Sequence, residues 1–131
     1  MVDLGILVLR LGLGIMFTAH GLQFAFGMFG GPGVAGFANN LTKMGFSPAI
    51  FWSCLAAYST LIGGACLILG LLTRVATIPL IIFMLVAVLK VHISKGFFIT
   101  NGGFEYNFVV ILALIALLLL GAGKFSLSSK L

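Results

Sequence analysis

The sequence predicts an all-α integral membrane protein, a bundle of four transmembrane helices. Of its 131 residues, 62% are hydrophobic and only 7% are charged, and the mean hydropathy is +1.32. Ordinary globular domains carry about 25% charged residues, so a soluble fold of this length would lack the charges to cover its surface. The chain also contains four long apolar runs without the alternating polarity of barrel strands, and only helices or closed barrels satisfy the backbone in lipid. Its length leaves room for one domain, residues 1–131.

Each apolar run is close to the ~20 residues that a helix needs to cross the hydrocarbon core. The runs cover residues 3–24, 48–70, 74–92 and 105–120. We expect the first run to remain as a helix, because it lacks the basic leader of a cleaved signal peptide and Arg10 interrupts it. Pro48 suits the first turn of the second helix, and Thr73 is the expected N-cap of the third. Between the first two runs, the pattern FANNLTKM at 37–44 predicts a short amphipathic helix on the membrane surface.

The basic residues indicate membrane edges and no nucleic-acid partner. The net charge is +5, but lysine and arginine are scattered singly around the apolar runs, and no cluster exists to neutralise a row of phosphates. With four spans, both termini lie on one side. The two sides carry similar numbers of basic residues, so the positive-inside rule decides weakly, and we favour cytoplasmic termini with the long loops outside.

Counting along the apolar runs places three of the four acidic and histidine residues at one end of the helices. These residues are His20, His92 and Glu105, and ionisable groups near hydrocarbon are costly unless they have partners or a task. Gln23 shares a helix face with His20, and Tyr106 follows Glu105. We therefore predict a ligand-binding site at the outer ends of the helices, formed by His20, Gln23, His92, Glu105 and Tyr106.

The residues of this site are compatible with several kinds of ligand. Histidine can bind a metal or haem iron, or exchange protons with a quinone, and two histidines with one carboxylate can hold a single metal ion. Alternatively, each residue only hydrogen-bonds loop backbone or headgroups at a helix end. Two histidines are a weak metal signal, so we favour a quinone or similar redox ligand over haem or a metal ion, predict no metal site and assign no catalytic residue.

Arg10 and the small residues have structural interpretations. Arg10 lies about 10 Å inside the first span, where it either pairs with Asp3 or, as we favour, extends to the headgroups. Small residues recur in the first helix (Gly5 and Gly12, Gly14 and Gly21) and in the second (Ser59 and Gly63; Ala56, Thr60 and Gly64). They predict close helix packing rather than a ligand slot. Cys54 and Cys66 are about 18 Å apart on one helix and cannot form a disulfide with each other.

Several motifs resemble the DoxX (DoxX/DoxD-like) family of small bacterial membrane proteins. The first helix reads LRLGLGIMFTAHGLQFAFG from Leu9 to Gly27, close to the family pattern R-L-x-L-G…F-x-x-H-G-x-Q. Four further segments follow in the family's order: GFANNLTKMGFSP, LIGGACLILGLLTR, VAVLKVHISKGFF and GGFEYNFVVILALIALLLLGAGKFSL. The matching polar positions are Arg10, His20, Gln23, His92, Glu105 and Tyr106.

The resemblance implies a four-helix protein of the bacterial inner membrane that is associated with redox chemistry. Family members are linked to a thiosulfate:quinone oxidoreductase and to other membrane-associated oxidoreductase complexes, so oxidoreductase partners and a homo-oligomer are expectations. Thr60 and Ser128 stand where the family often has acids, which weakens a proton relay through the bundle. We predict a membrane subunit that binds a quinone or similar ligand; the alternatives are a non-catalytic scaffold for soluble redox enzymes and a haem or metal protein.

Overall fold

The structure is an all-α membrane bundle, as predicted. The computed structural model describes residues 1–92, 96–98 and 103–126. This part of the chain contains five α-helices: α1 Val2–Phe26, α2 Gly33–Lys43, α3 Ala49–Leu69, α4 Thr73–Ala87 and α5 Glu105–Leu120. A π-helical turn, Val88–His92, extends α4. Helices α1, α3 and extended α4 are long and apolar enough to cross a membrane, and α5 is a shorter apolar helix.

The bundle exposes many large apolar side chains on its outward faces. Phe17, Leu67 and Leu80 belong to the buried core shared by α1, α3, α4 and α5. On the outward faces, large apolar side chains are more than half exposed, among them Val8, Ile15, Ile62, Val109 and Leu119. A continuous apolar exterior of this kind needs lipid to cover it.

Helix α2 lies across one end of the bundle and is amphipathic. Phe37, Ala38 and Leu41 are buried, while Asn40 and Lys43 on its other face are exposed. The Ser53 hydroxyl near the start of α3 donates a hydrogen bond to the Val34 carbonyl of α2 (3.3 Å). We call the end of the bundle that holds α2 the α2 end and the opposite end the Arg10 end.

Helices α1 and α3 are antiparallel and pack closely at glycines. A Cβ atom on Gly14 would lie 2.7 Å from the Ile68 side chain, and one on Gly21 would lie 2.5 Å from Leu61 Cα. From the other side, a Cβ on Gly64 would lie 2.5 Å from the Thr18 backbone nitrogen. Gly5 and Gly12, in contrast, have nothing within 4 Å of a Cβ. Only part of the predicted small-residue pattern therefore serves the α1–α3 contact.

Arg10 neither pairs with Asp3 nor reaches the headgroups; both interpretations of this residue were wrong. Its side chain is 1% exposed. Nε donates to the Leu67 carbonyl (2.7 Å) and Nη2 to the Ile68 carbonyl (3.3 Å). Nη1 donates to the carbonyls of Ala122 (2.7 Å) and Phe125 (2.8 Å). One guanidinium thus joins α1 to the C-terminal end of α3 and to the segment after α5.

The neighbouring groups explain this placement of Arg10. The last carbonyls of a helix lack intrahelical donors and carry partial negative charge. In α3, the amides of Gly70 and Leu71 satisfy the Cys66 carbonyl, and Arg10 satisfies the next two. The Asp3 carboxylate instead accepts a hydrogen bond from the Lys124 backbone (3.0 Å). The expectation for Thr73 was also wrong: Leu72 occupies the N-cap position of α4, and the buried Thr73 hydroxyl has no hydrogen-bond partner among the described residues.

Gly21→Ala should destabilise the bundle by about 1–3 kcal/mol, because the added methyl group collides with the Leu61 backbone. Gly12→Ala is the matched control on the same helix and should leave stability within about 1 kcal/mol of wild type or raise it, since the site is open. Unfolding by sodium dodecyl sulfate in mixed micelles, followed by circular dichroism, measures both. Equal stability of the two variants would contradict the close α1–α3 contact.

Arg10→Lys should lower the free energy of unfolding by about 3 kcal/mol, because one ammonium group cannot reach carbonyls on two separate segments. Arg74→Lys is the control: Arg74 is exposed and makes one long hydrogen bond, 3.4 Å, to Leu119. That variant should lose less than about 1 kcal/mol. The same unfolding assay applies, and a loss in Arg10→Lys no larger than in Arg74→Lys would refute the role of the guanidinium.

Candidate ligand-binding cavity at the α2 end

His20 lies within α1, deeper than the ends of the helices. The adjacent Gly21 packs on Leu61, near the middle of α3. The half-buried His20 ring stacks with Phe24 at 6.2 Å between ring centroids and hydrogen-bonds the backbone of Met16. The Gln23 amide donates to the Phe29 carbonyl at 3.4 Å. His20 is therefore held by its own helix and faces an aromatic neighbour.

The first turn of α5 carries three polar residues. The Glu105 side chain is half-buried, and the Glu105 amide donates to the Phe97 carbonyl (2.7 Å). The Tyr106 hydroxyl donates to Met16 Sδ (2.6 Å). Tyr106 and His20 thus meet at the same residue, Met16. Asn107 is buried and bonds Met84 Sδ at 3.8 Å, while its Oδ1 has no partner among the described residues.

His92 lies farther toward the α2 end than His20. A Cβ on Gly63 would touch Leu80, and Gly21 packs on the nearby Leu61, so Leu80 and Gly21 lie at similar depths. His92 follows Leu80 by twelve residues, about 18 Å of helix. The structure links His20 and Tyr106 through Met16 and places the backbone of His92 well beyond them. Among the described residues, no three His, Cys, Asp or Glu side chains are grouped to hold a metal ion.

One apolar cavity, here called the deep cavity, lies between α2, α3 and α4, and exposed side chains such as Leu55 and Ile82 line its open side. Its volume is about 380 Å³. Its walls are almost wholly apolar, and the polar groups are the Ser59 hydroxyl, the Trp52 indole and the Lys90 ammonium. The lining residues are Phe37, Leu41, Met44, Phe46, Trp52, Leu55, Ala56, Ser59, Pro79, Ile82, Phe83, Val86, Ala87 and Lys90.

A second cavity, the mouth cavity, adjoins the deep cavity and shares three lining residues with it. It measures about 410 Å³ and is lined by Phe24, Phe37, Asn40, Lys43, Met44 and Lys90. Lys90, in the π-helical turn, also stands over the Phe46 ring with Nζ 5.7 Å from the centroid. Turns of π-helix often occur at functional sites.

Phe24 connects the predicted site to these cavities. Its ring stacks on Phe37 at 4.5 Å and meets Phe83 at 5.9 Å, and both of those residues line the deep cavity. His20 therefore stands one aromatic ring behind the cavity wall. None of His20, Gln23, Glu105 and Tyr106 lines either cavity.

Sequence reasoning missed the cavities and the pair Lys43 and Lys90. The amphipathic pattern at 37–44 predicted the helix that carries Lys43, and the apolar runs placed Lys90 near the same end. Both lysines were interpreted as membrane-edge charges. A cavity depends on how α2 packs across α3 and α4, and helical periodicity does not contain that information.

The comparison with known families agrees with the fold and the motifs. The model of the DoxX family matches residues 5–93, from α1 through the extension of α4. The chain belongs to the DoxX family. The resemblance seen in the sequence is thereby confirmed.

Two similar proteins are both described as uncharacterized. The chain is 31% identical to an uncharacterized membrane protein of Mycobacterium tuberculosis over 96% of its own length and 80% of that protein. It is 33% identical to an uncharacterized protein of Haemophilus influenzae over 57% of its length and 50% of that protein. No solved structure matches the chain significantly.

Proposed function

We propose that this DoxX-family membrane protein binds a quinone or similar small redox ligand in the deep cavity and acts as a redox-associated membrane subunit. The observation that carries the proposal is the cavity itself. Its volume of about 380 Å³ falls in the ~300–1,000 Å³ range of small-molecule sites. Its apolar walls favour a lipid-soluble ring over a charged metabolite.

The few polar groups of the cavity suit a ligand whose ring carries carbonyl oxygens. The Trp52 and Phe83 side chains offer aromatic surfaces for stacking. Lys90 carries N–H donors at the edge of the cavity, and Ser59 carries a hydroxyl. This combination of apolar walls and a small number of hydrogen-bond donors suits a quinone.

The roles of the predicted site residues follow from their positions relative to the cavity. His20 stacks behind Phe24 and would fix the orientation of that wall residue. Tyr106 is linked to the same part of α1 through Met16. In this proposal His20 and Tyr106 support the cavity wall through Phe24 and Met16, and Gln23, Glu105 and His92 are given no contact with the ligand.

Saturable quenching of Trp52 fluorescence tests the ligand directly. Trp52 is the single tryptophan of the chain and lines the cavity, so a short-chain naphthoquinone bound there should quench it. Ala56→Phe fills the cavity and should weaken binding at least about tenfold. Ala65→Phe, exposed on the same helix, is the control and should bind as wild type does. Quenching that is unsaturable, or equal in both variants, would refute the quinone site.

The same titration separates the role of His20 from that of the cavity. His20→Ala removes the ring that stacks with Phe24, a contact that contributes about 0.5–1.5 kcal/mol, so affinity should fall by roughly two- to tenfold. Wild-type affinity and wild-type quinone content in His20→Ala would remove His20 from the site and leave the cavity as the binding element.

We further propose that both termini lie in the cytoplasm and the α2 end faces outward, in the inner membrane of a bacterium. Arg74 and Lys124 are exposed near the Arg10 end, and Lys43 and Lys90 are exposed at the α2 end. The positive-inside rule therefore separates the two orientations only weakly, and labelling decides between them. In a background with Cys54 and Cys66 replaced by alanine, Lys43→Cys should react with an impermeant maleimide in spheroplasts. Lys124→Cys should react only after permeabilisation. The opposite labelling pattern would invert the topology.

A further inference from the structure

The mouth cavity collects positive charge that the protein itself does not balance. Lys43 and Lys90 both line it. The chain has only two acidic residues, Asp3 and Glu105. Asp3 bonds the Lys124 backbone at the Arg10 end, and Glu105 is not part of the cavity lining. Among the described residues, neither carboxylate balances the two ammonium groups, which leaves Lys43 and Lys90 available to an external anion.

The position and floor of the mouth cavity indicate where that counter-ion comes from. Helix α2 is amphipathic, with its apolar face buried and Asn40 and Lys43 exposed, as expected of a helix at the level of the lipid headgroups. The rest of the cavity lining is apolar: Phe24, Phe37 and Met44. A soluble anion gains nothing from those side chains, whereas an acyl chain can pack on them.

We propose that the mouth cavity binds an anionic phospholipid, such as phosphatidylglycerol. The phosphate lies between the ammonium groups of Lys43 and Lys90, the Asn40 amide donates a hydrogen bond to it, and one acyl chain packs on the floor of the cavity. Basic pockets at membrane interfaces recognise anionic headgroups through this kind of charge pairing. A zwitterionic lipid is disfavoured because its own cation balances the phosphate charge. This inference goes beyond the quinone proposal. Lys90 lines both cavities and carries three N–H donors, so it can serve both ligands.

Native mass spectrometry of the purified full chain tests the preference for anionic lipid. Phosphatidylglycerol and phosphatidylcholine of equal chain length are added separately in detergent. Each lysine should contribute roughly a fivefold preference, so wild type should bind phosphatidylglycerol about 25-fold more tightly. Lys43→Met with Lys90→Met should lose that preference, and Lys43→Arg with Lys90→Arg should keep it. Lys124→Met removes an exposed charge at the opposite end and should bind as wild type does.

Each outcome decides the proposal. An unchanged preference in the double methionine variant, with helical content and melting like wild type, would overturn it. If that variant fails to fold, the single variants Lys43→Met and Lys90→Met decide: each must lower the preference, which must survive in the arginine pair and in Lys124→Met. Inorganic phosphate identifies the source of the anion, because competition by millimolar phosphate would indicate a soluble-anion site and overturn the lipid assignment. Quinone is left out of all samples, so failure here is distinguishable from failure of the deep-cavity proposal.

Discussion

The buried guanidinium of Arg10 holds three parts of the chain in one arrangement. It donates to the free carbonyls at the end of α3 and to Ala122 and Phe125 in the segment after α5. A charge in a membrane protein is stable at such a depth only when its donors are satisfied, so these segments must come together. The close α1–α3 contact at Gly21 and Gly64 follows the same alignment. With both helices fixed, the start of α3 extends past α1 at the other end, where α2 covers it.

Much of the fold was predictable because it depends on local patterns. Apolar runs near the length of a membrane crossing predict helices, and the FANNLTKM pattern predicts the amphipathic α2. Arg10 was misinterpreted for a definite reason. Its partners are backbone carbonyls, which every residue carries, so no sequence motif marks them. The search for a carboxylate led to Asp3, which instead binds the Lys124 backbone, and Ser128 lies outside the described residues.

The sequence predicted the end of the bundle at which the candidate cavities lie, but not the residues that line them. Counting along the apolar runs placed His20, His92 and Glu105 at one end, but counting ignores how far each helix is displaced along the bundle. The structure sets His20 opposite the middle of α3 and carries the backbone of His92 outward on the π-helical turn. The cavities arise where α2 crosses α3 and α4, and only packing shows this. Thr60 stands where the family often has an acid. Its hydroxyl donates a hydrogen bond to the Ala56 carbonyl (2.6 Å), so it is satisfied within α3.

Occupancy of the deep cavity is the central claim, and a density map tests it most directly. The full chain would be reconstituted in nanodiscs that contain phosphatidylglycerol and a short-chain naphthoquinone. We predict planar density in the deep cavity, in contact with Trp52 and Phe83. The contradicting result is a deep cavity closed by movement of α2, with ligand density between His20 and Glu105 instead.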